Sequence, residues 1–453
     1  MLPHLPGTTP EVNLPAALKK ITLFWFRRDL RLHDNTGFHR ALTSGTPVLP
    51  LFIFDKDILD KLSDKTDARV NFIHQTVAAL QEQLHAMGST LLVQYGLPEE
   101  ILSSLCRQYN ITAVYTNRDY EPYARTRDTA VEDLLSAKGV GFYTFKDQVI
   151  FEQEEILSKT GSPYKIYTPY KKAWLQRFAA DLVAPIPSKD NLHQLLPHTA
   201  TALPSLSEMG FAPSAMQVPA PRLSADVLRA YEDTRNIPAL DATSRISPYL
   251  RFGLISVRDA VVKAIAHNQV WLQELIWREF FMQLLYHFPI TATESFYPKF
   301  RAIEWRNNEE EFERWCNGTT GFPLVDAGMR ELNATGFMHN RVRMVVASFL
   351  IKDLLIDWRW GEAYFAEKLL DYELASNAGN WQWAAGTGAD AQPYFRIFNP
   401  DSQVTKFDKD YTYIKRWVPE YGTAAYPKPM LQHKEASSRA LEAYKKSIAA
   451  MAP

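Results

Sequence analysis

The chain has 453 residues, of which 46% are hydrophobic and 22% charged, and its 50 basic residues are balanced by 51 acidic ones. A chain of this length exceeds what one hydrophobic core usually organises, so we expect two domains. The balanced charge excludes a uniformly basic nucleic-acid coat protein, although a local basic face would still meet phosphate groups.

Residues 1–18 lack the basic and then apolar layout of a secretory signal and are predicted to be a polar lead-in. Two cysteines, Cys106 and Cys316, are too few for a disulfide framework and lack the spacing of a metal site. There is no run of about 18 apolar residues that would span a membrane. We therefore expect a cytoplasmic protein without a metal ion or a membrane partner.

Short apolar runs alternate with amphipathic stretches over residues 19–150, which we expect to form the first domain. This alternation predicts a doubly wound, Rossmann-like parallel sheet, with helices on both faces and a ligand crevice at the strand ends. Strands are predicted at 21–26, 47–54, 90–95, 113–116 and 141–145, and helices at 68–87, 98–108 and 126–138. No G-x-G-x-x-G or G-x-x-x-x-G-K-[ST] motif occurs, which excludes the usual dinucleotide fingerprint and a P-loop.

Proline, serine and alanine dominate residues 183–222, so we place a long interdomain linker at 151–223. From residue 224 to 453 the pattern is helical, so the chain is predicted to be α/β and then all-α. The predicted helices are 257–267, 270–286, 309–316, 325–332, 341–355, 360–370 and 434–448, the last within a polar tail.

The segment WLQELIWREF, residues 271–280, carries unusual chemistry on one helix face. Glu274, Trp277 and Arg278 stand at i, i+3 and i+4, and Trp271 lies one turn earlier. A carboxylate, an indole and a guanidinium together are unusual in a core stripe. A surface ion pair beside a packing tryptophan explains the pattern equally well.

Two further segments are suited to an anionic ligand. In GFMHNRVRM, Asn340 and Met344 align one turn apart, and the two arginines between them suit phosphate. A solvated basic helix start has the same pattern. In TSRISPYLRFG, hydroxyl groups surround Arg245 before a helix, as in an anion cradle or an ordinary helix cap.

The segment DYELASNAGNWQWAAGTGADAQPYFR, residues 371–396, places Trp381 and Trp383 among small residues and turn formers. This composition predicts a turn or loop. Such a loop would either pack internally or offer a stacking platform.

Taken in this order, the segments resemble the photolyase/cryptochrome family. FWFRRDLRLHDN and YKIYTPYKKAW match its N-terminal part, and TSRISPYLRFG, ELIWREF and the stretch 321–400 match its helical part. The resemblance covers roughly residues 19–417 and is greatest to class I cyclobutane-dimer photolyases. It implies an antenna domain, then a helical FAD-binding and DNA-binding domain, and blue-light-driven repair of pyrimidine dimers by electron transfer from excited, reduced FAD.

Other functions remain open at this point. A cryptochrome-type photoreceptor without repair activity and a photolyase for (6-4) products or single-stranded DNA belong to the same family. The N-terminal domain alone would also fit a non-photochemical nucleotide-binding protein.

The expected partner is DNA containing pyrimidine dimers, bound by a monomer that associates with the nucleoid.

The resemblance also implies roles for individual residues. Glu274 would hydrogen-bond the damaged bases, Met344 would touch the lesion, and Asn377 would face the flavin. The residues on flavin-contact positions are Tyr231, Thr243, Ser244, Arg245, Ile246, Ser247, Trp271, Arg278, Asn340, Arg343, Asp371, Tyr372, Glu373 and Asn377, with Arg343 paired to Asp371.

Trp381, Trp358 and Trp305 match the family's tryptophan chain, which reduces the flavin. The residues implied in DNA binding are Arg235, Trp277, Arg341, Met344, Trp383, Arg396 and Lys406. Glu121 is a candidate contact for a second, antenna chromophore, which would be a folate, a deazaflavin or a flavin. The chain departs from the family pattern at Phe337, Glu373 and Ala378, which affects how the flavin is tuned.

Overall fold

A computed structural model describes residues 19–450, so the predicted lead-in 1–18 lies outside the described residues, as do residues 451–453. A parallel five-stranded sheet with the strand order β3-β2-β1-β4-β5 forms the N-terminal domain. The strands are β1 (Ile21–Phe26), β2 (Val48–Asp55), β3 (Leu92–Gly96), β4 (Ile111–Asn117) and β5 (Gly141–Phe145). The predicted doubly wound sheet is confirmed.

Helices cover both faces of this sheet, which is why every residue of β1 and β2 is buried. Alternate residues of β1 point to opposite faces of the sheet: Phe24 belongs to an apolar cluster with Phe38, and Trp25 belongs to a second one with Val131. The helices of this domain are α1 (Thr36–Leu42), α2 (Lys56–Leu59), α3 (Ala68–His85), α4 (Pro98–Gln108) and α5 (Pro122–Ser136).

The crevice between the carboxyl ends of β1 and β4, where the sheet order reverses, is filled by the chain's own polar side chains. Asn117 donates to Asn35 Oδ1 at 2.8 Å and to Asp29 Oδ2 at 2.5 Å, and accepts from the Gly37 amide at 2.8 Å. All of these groups are buried. A closed hydrogen-bond network thus occupies the crevice at this point, and a ligand elsewhere along the strand ends stays a prediction.

The predicted linker contains one long helix, α6 (Tyr167–Arg177), which packs against the helical domain. Short 3₁₀ turns follow at Ala180–Val183 and Ser188–Gln194. The proline-rich stretch after them has no long helix and lies on the first domain, where Met209 and Phe211 are buried against the sheet's helices. The connection thus covers apolar surface instead of spanning solvent.

The helical domain contains α7 (Ala225–Arg229), α8 (Tyr231–Thr234), α9 (Ser247–Arg251), α10 (Val257–His267), α11 (Gln269–His287), α12 (Glu309–Cys316), α13 (Pro323–Thr335), α14 (Asn340–Ser348), α15 (Trp358–Lys368), α16 (Leu374–Ala385), α17 (Pro400–Phe407), α18 (Thr412–Trp417) and α19 (His433–Ala450). Two 3₁₀ turns, Pro289–Ala292 and Pro298–Phe300, complete it. Most of these helices lie where the sequence predicts them. Over residues 19–450, none of the helices combines the length and apolar character needed to cross a bilayer.

Two predictions about secondary structure need correction. The helix predicted at 341–355 is α14 followed by a π-helical turn, Phe349–Asp353. Trp381 and Trp383 lie on α16 and not in a loop. The small residues that resemble turn formers are there because the helix packs closely: a Cβ on Gly379 would lie 2.2 Å from Phe281 Cδ1.

Candidate functional site

A cavity of about 510 Å³ lies between α9, α11, α14 and α16 of the helical domain. Every residue predicted to contact the flavin lines this one cavity, and so do the predicted substrate contacts Glu274, Trp277, Met344 and Trp383. Arg235 and Trp381 also line it. Segments that are distant in sequence therefore meet at one site.

Helix α11 presents one stripe to the cavity, formed by Trp271, Glu274, Arg278 and Phe281 at helical spacing. The helix is capped at its N-terminus, because Asn268 Oδ1 accepts from the amides of Val270 and Trp271 at 2.8 and 3.0 Å. The shared helix face predicted from the sequence is confirmed.

Glu274 is paired with Arg235, whose Nη1 lies 2.6 Å from Glu274 Oε1. Burial raises the pKa of Glu274 above its ordinary value, and the Arg235 guanidinium opposes that rise. The carboxyl group therefore holds a proton to higher pH than a solvated glutamate does. Arg235, predicted to meet a DNA phosphate, is held at the cavity rim by this pair.

Asp371 is held by two partners on the cavity wall. Arg343 Nη2 lies 3.1 Å from Asp371 Oδ2, so the predicted pair is confirmed. Ser247 Oγ donates to the same oxygen at 2.7 Å. This arrangement ties α9, α14 and the segment before α16 together and presents a fixed carboxylate and guanidinium to the cavity.

Glu373 joins the cavity to the N-terminal domain. It accepts from Ser376 Oγ at 3.0 Å, lies 3.4 Å from Arg278 Nη2, and forms an ion pair with Arg28 from the loop after β1. These cations outweigh burial and hold the pKa of Glu373 below its ordinary value. Sequence reasoning missed Arg28, because only the folded chain brings it beside Glu373.

Glu121 belongs to the same ionic cluster. Its Oε1 lies 3.1 Å from Arg28 Nη1 and 3.4 Å from Arg251 Nη2. The side chain is thus engaged at the interface between the two domains. Its predicted contact with an antenna chromophore stays a prediction.

Asn377 also lines the cavity, and Glu362 fixes the orientation of its side-chain amide. Its Nδ2 donates to Glu362 O at 3.0 Å and to Glu362 Oε1 at 2.9 Å. Burial raises the pKa of Glu362. With the amide nitrogen held by Glu362, the Asn377 amide has one orientation toward the cavity.

The three predicted electron-transfer tryptophans lie in or against one apolar cluster. Trp381 lines the cavity, Trp358 is buried, and Trp305 is partly buried at the cluster's edge. Gly361, one turn after Trp358 on α15, allows close packing, since a Cβ there would lie 2.1 Å from Trp381 Cη2. Trp381 also contacts Phe365, with ring centroids 5.0 Å apart. Their order as an electron path stays a prediction.

Three of the predicted DNA contacts lie outside the cavity lining. Arg341 donates to Asn236 Oδ1 at 2.7 Å and covers the Phe407 ring at 4.4 Å, and the Lys406 ammonium lies 5.2 Å from the same ring. Arg396 lies on the segment after α16 and is exposed. Arg341 and Lys406 thus form one basic group, while Arg396 stands apart from their shared ring.

Residues that the sequence analysis did not assign to the site include Arg251 and Phe337. Arg251 lines the cavity, and its buried Nη1 has no hydrogen-bond partner within the described part of the chain. Phe337 lies under Arg245, 4.9 Å from ring to guanidinium, so the phenyl ring that departs from the family pattern still supports a cation. Arg251 stands in the quoted motif TSRISPYLRFG, which was the available signal.

The residues present fit FAD. Cavity walls with guanidinium, hydroxyl and amide donors match a diphosphate and a ring with polar edges, and the apolar and aromatic walls match flat rings. Arg245 supports this match, since its backbone φ of +49° is a strained value that is common at ligand-binding sites. The unpartnered Arg251 Nη1 leaves one more buried donor beside the cavity. Among residues 19–450, no group of three or more His, Cys, Asp or Glu side chains is arranged to hold a metal ion.

Known proteins with similar sequences match both domains. A family model described as DNA photolyase matches residues 22–190, and one described as the FAD binding domain of DNA photolyase matches residues 271–424. A deoxyribodipyrimidine photo-lyase from Synechococcus sp. is 39% identical, over 91% of this chain and 93% of its own.

Solved structures agree with these matches. A bacterial class III photolyase from Agrobacterium tumefaciens is 36% identical with a TM-score of 0.85, covering 96% of this chain and 99% of its own. An archaeal photolyase from Sulfolobus tokodaii, solved with two FAD molecules, is 32% identical with a TM-score of 0.80, covering 94% and 99%.

Proposed function

Because the chain belongs to the photolyase/cryptochrome family, we propose that it is a deoxyribodipyrimidine photo-lyase that repairs cyclobutane pyrimidine dimers in DNA under blue light. One observation carries the proposal: the residues suited to FAD and the predicted dimer contacts Glu274, Trp277 and Trp383 line the same cavity. Cofactor and substrate would therefore meet without a protein layer between them. A single chain supplies the whole lining, so a monomer suffices.

FAD would be held by the walls already described. Arg245, Arg278 and the hydroxyls of Thr243 and Ser247 suit its phosphates and ribose, and Asn377 suits a polar edge of the flavin ring. When bound in its reduced form, FAD supplies on blue-light absorption the one electron that opens the cyclobutane ring and takes it back afterwards.

The dimer must leave the duplex to reach this cavity, since its bases are otherwise stacked. Unstacking costs a few kcal/mol, and less at a distorted lesion, which favours damaged DNA. Trp277 and Trp383 offset this cost by stacking, at roughly 1–3 kcal/mol per base. Arg341, Lys406 and Arg396 would hold the flanking phosphates.

Glu274 would donate a hydrogen bond to the dimer as negative charge develops on it. The raised pKa of Glu274 supports this role, because only the protonated carboxyl group is a donor. A donor fixed in advance stabilises developing charge without reorganisation. When Glu274 does ionise, the adjacent Arg235 guanidinium would lower the free-energy cost of its negative charge in the cavity.

A second chromophore would belong to the N-terminal domain, as the family resemblance implies. The archaeal relative solved with two FAD molecules supports a second chromophore, without placing it in a domain. Glu121 is weaker support for a second chromophore than the sequence indicated, because its carboxylate already pairs with Arg28 and Arg251. An absorption spectrum of the purified chain, after subtraction of its FAD, measures whether a second chromophore is carried.

The proposal is tested by repair of three oligonucleotides under blue light: a thymine dimer in duplex DNA, the same dimer in a single strand, and a (6-4) product. We expect repair of the dimer in the duplex and no repair of the (6-4) product. A chain that binds FAD and reduces it in light but repairs none of them would be a cryptochrome-type photoreceptor, which contradicts the proposal. Repair of the (6-4) product alone would also contradict it.

A further inference from the structure

Tyr167, the first residue of α6, stacks face to face on Trp277, with ring centroids 3.6 Å apart and ring planes 9° apart. Trp277 lines the cavity and Tyr167 does not. Tyr167 therefore covers the indole face that is turned away from the cavity. Tyr167 also lies in the predicted linker, 151–223, and not in the helical domain predicted at 224–453.

We propose that Tyr167 is a positioning residue for the substrate: it fixes the Trp277 indole as a flat wall on which the extruded dimer stacks. This inference rests on the proposed function and adds a residue from the interdomain segment to it. Two rings in flat contact within a close-packed interior restrict each other, because tilting one ring drives it into the other. With Tyr167 behind it, the indole meets the dimer without first losing conformational freedom.

Tyr167 is itself held in place from two sides. Its hydroxyl donates to Gln273 O on α11 at 2.9 Å, and its amide donates to Asp390 Oδ2 at 3.0 Å. The ring is buried, with its edge toward Phe280 at 5.8 Å. These contacts set the ring's plane and not merely its position.

The other neighbours of Trp277 cannot replace this support. Phe280 meets it at 76° between ring planes, an edge contact, and Phe281 is stacked less closely, with centroids 5.5 Å apart and ring planes 28° apart. Removing the Tyr167 ring would leave one indole face without a parallel partner. The indole would then sample other orientations in the space that the tyrosine vacates.

The test measures binding of dimer-containing and undamaged duplex DNA by the FAD-loaded protein. Tyr167→Leu fills much of the volume but cannot stack flat, and Tyr167→Phe keeps the ring and loses only the hydroxyl. We expect Tyr167→Leu to weaken binding of the dimer by roughly 3- to 10-fold, with undamaged DNA unchanged. Tyr167→Phe should restore binding to within about twofold of the wild type.

A double-mutant cycle separates positioning from general destabilisation. If Tyr167 acts through Trp277, Tyr167→Leu has no further effect on dimer binding in a Trp277→Ala background. Tyr164→Ala is the matched control, since Tyr164 lies in the same segment but packs on Tyr170, at 6.2 Å. We expect that control to leave dimer binding at the wild-type level.

The same loss of dimer binding in both backgrounds, or wild-type affinity in Tyr167→Leu, would overturn the inference while leaving the proposed function intact. A Tyr164→Ala loss equal to that of Tyr167→Leu would overturn it too. If the wild-type chain itself neither prefers nor repairs dimer-containing DNA, the proposed function has failed, and the inference fails with it.

Discussion

At the scale of single residues, Glu274 combines a half-buried carboxyl group with an adjacent cation, Arg235, at 2.6 Å. Burial raises its pKa and the cation lowers it, with burial the larger effect. The protonated fraction, and with it the hydrogen-bond donor, is lost as pH rises through this raised pKa. Repair should therefore depend on pH through the protonation of this carboxyl group.

We expect Glu274→Ala to lower the quantum yield of repair by roughly 2- to 10-fold, the range for one hydrogen bond, while FAD stays bound. Glu274→Gln keeps a donor at every pH, so its yield should not decline with rising pH as that of the wild type does. Quantum yields at saturating substrate, measured across pH, check both expectations. An equal yield in Glu274→Ala and wild type would remove this residue from the mechanism.

The side-chain amide of Asn377 is held by a neighbouring carboxyl group. Its amide nitrogen donates to Glu362, whose pKa burial already raises. Asn377→Asp would place two carboxyl groups at hydrogen-bonding distance, so they would share a proton or repel each other. We expect lower FAD occupancy in Asn377→Asp than in Asn377→Ser, measured from the ratio of flavin to protein absorbance. Equal occupancy would show that the contact with Glu362 is unimportant for binding.

At the scale of secondary structure elements, close helix packing depends on glycines. A Cβ on Gly361 would lie 2.1 Å from Trp381, so α15 and α16 could not keep their present separation. We expect Gly361→Ala to cost about 1–3 kcal/mol of unfolding free energy and to slow light-driven reduction of the flavin. Urea unfolding and flavin absorbance under illumination measure the two effects.

Ala363→Ser is the matched control for Gly361→Ala, since it adds one heavy atom on the exposed face of the same helix. It should change neither the unfolding free energy nor the photoreduction rate. If Gly361→Ala also leaves photoreduction unchanged, Trp381 does not depend on this packing.

Periodicity was sufficient to predict the sheet and most helices, because buried strands such as β1 and amphipathic helices such as α10 carry local signals. It failed at α16, where Gly379 and small neighbours look like a turn until Phe281 of another helix is placed against them. Spacing singled out some cavity-lining residues, such as Glu274 and Arg278, but their assignment to the flavin or the dimer came from the resemblance to a family. Arg28 and Tyr167 were missed because their importance comes from contacts across more than a hundred residues of sequence.

At the scale of the whole molecule, Glu279 connects three parts of the chain. This fully buried carboxyl group accepts from the amides of Ile150 and Phe151 at 2.7 and 3.2 Å, and from Trp174 Nε1 on α6 at 2.7 Å. Burial raises its pKa to about 7, although these hydrogen bonds favour the ionised form. The end of the first domain, the interdomain helix and α11 thus meet at one titrating group.

A raised pKa in the folded state means that the folded protein binds this proton more tightly than the unfolded chain. The corresponding stability is fully present below the unfolded value of about 4.5 and is lost as pH rises through about 7. We expect the wild type to lose on the order of 3 kcal/mol relative to Glu279→Gln between pH 4.5 and 8. Parallel urea unfolding curves at several pH values measure this, and a pH-independent difference would show that Glu279 does not titrate in this range.

A flavin and a dimer must share one cavity for this repair, and repair followed in real time tests this most directly. The purified chain, with its FAD reduced, is mixed with a thymine-dimer duplex and illuminated with blue light while the ultraviolet absorbance of intact thymine is recorded. We predict that absorbance rises as thymines are restored, only in light, and that it stays flat after FAD is removed. A flat trace from the FAD-loaded, reduced protein in blue light would contradict the account.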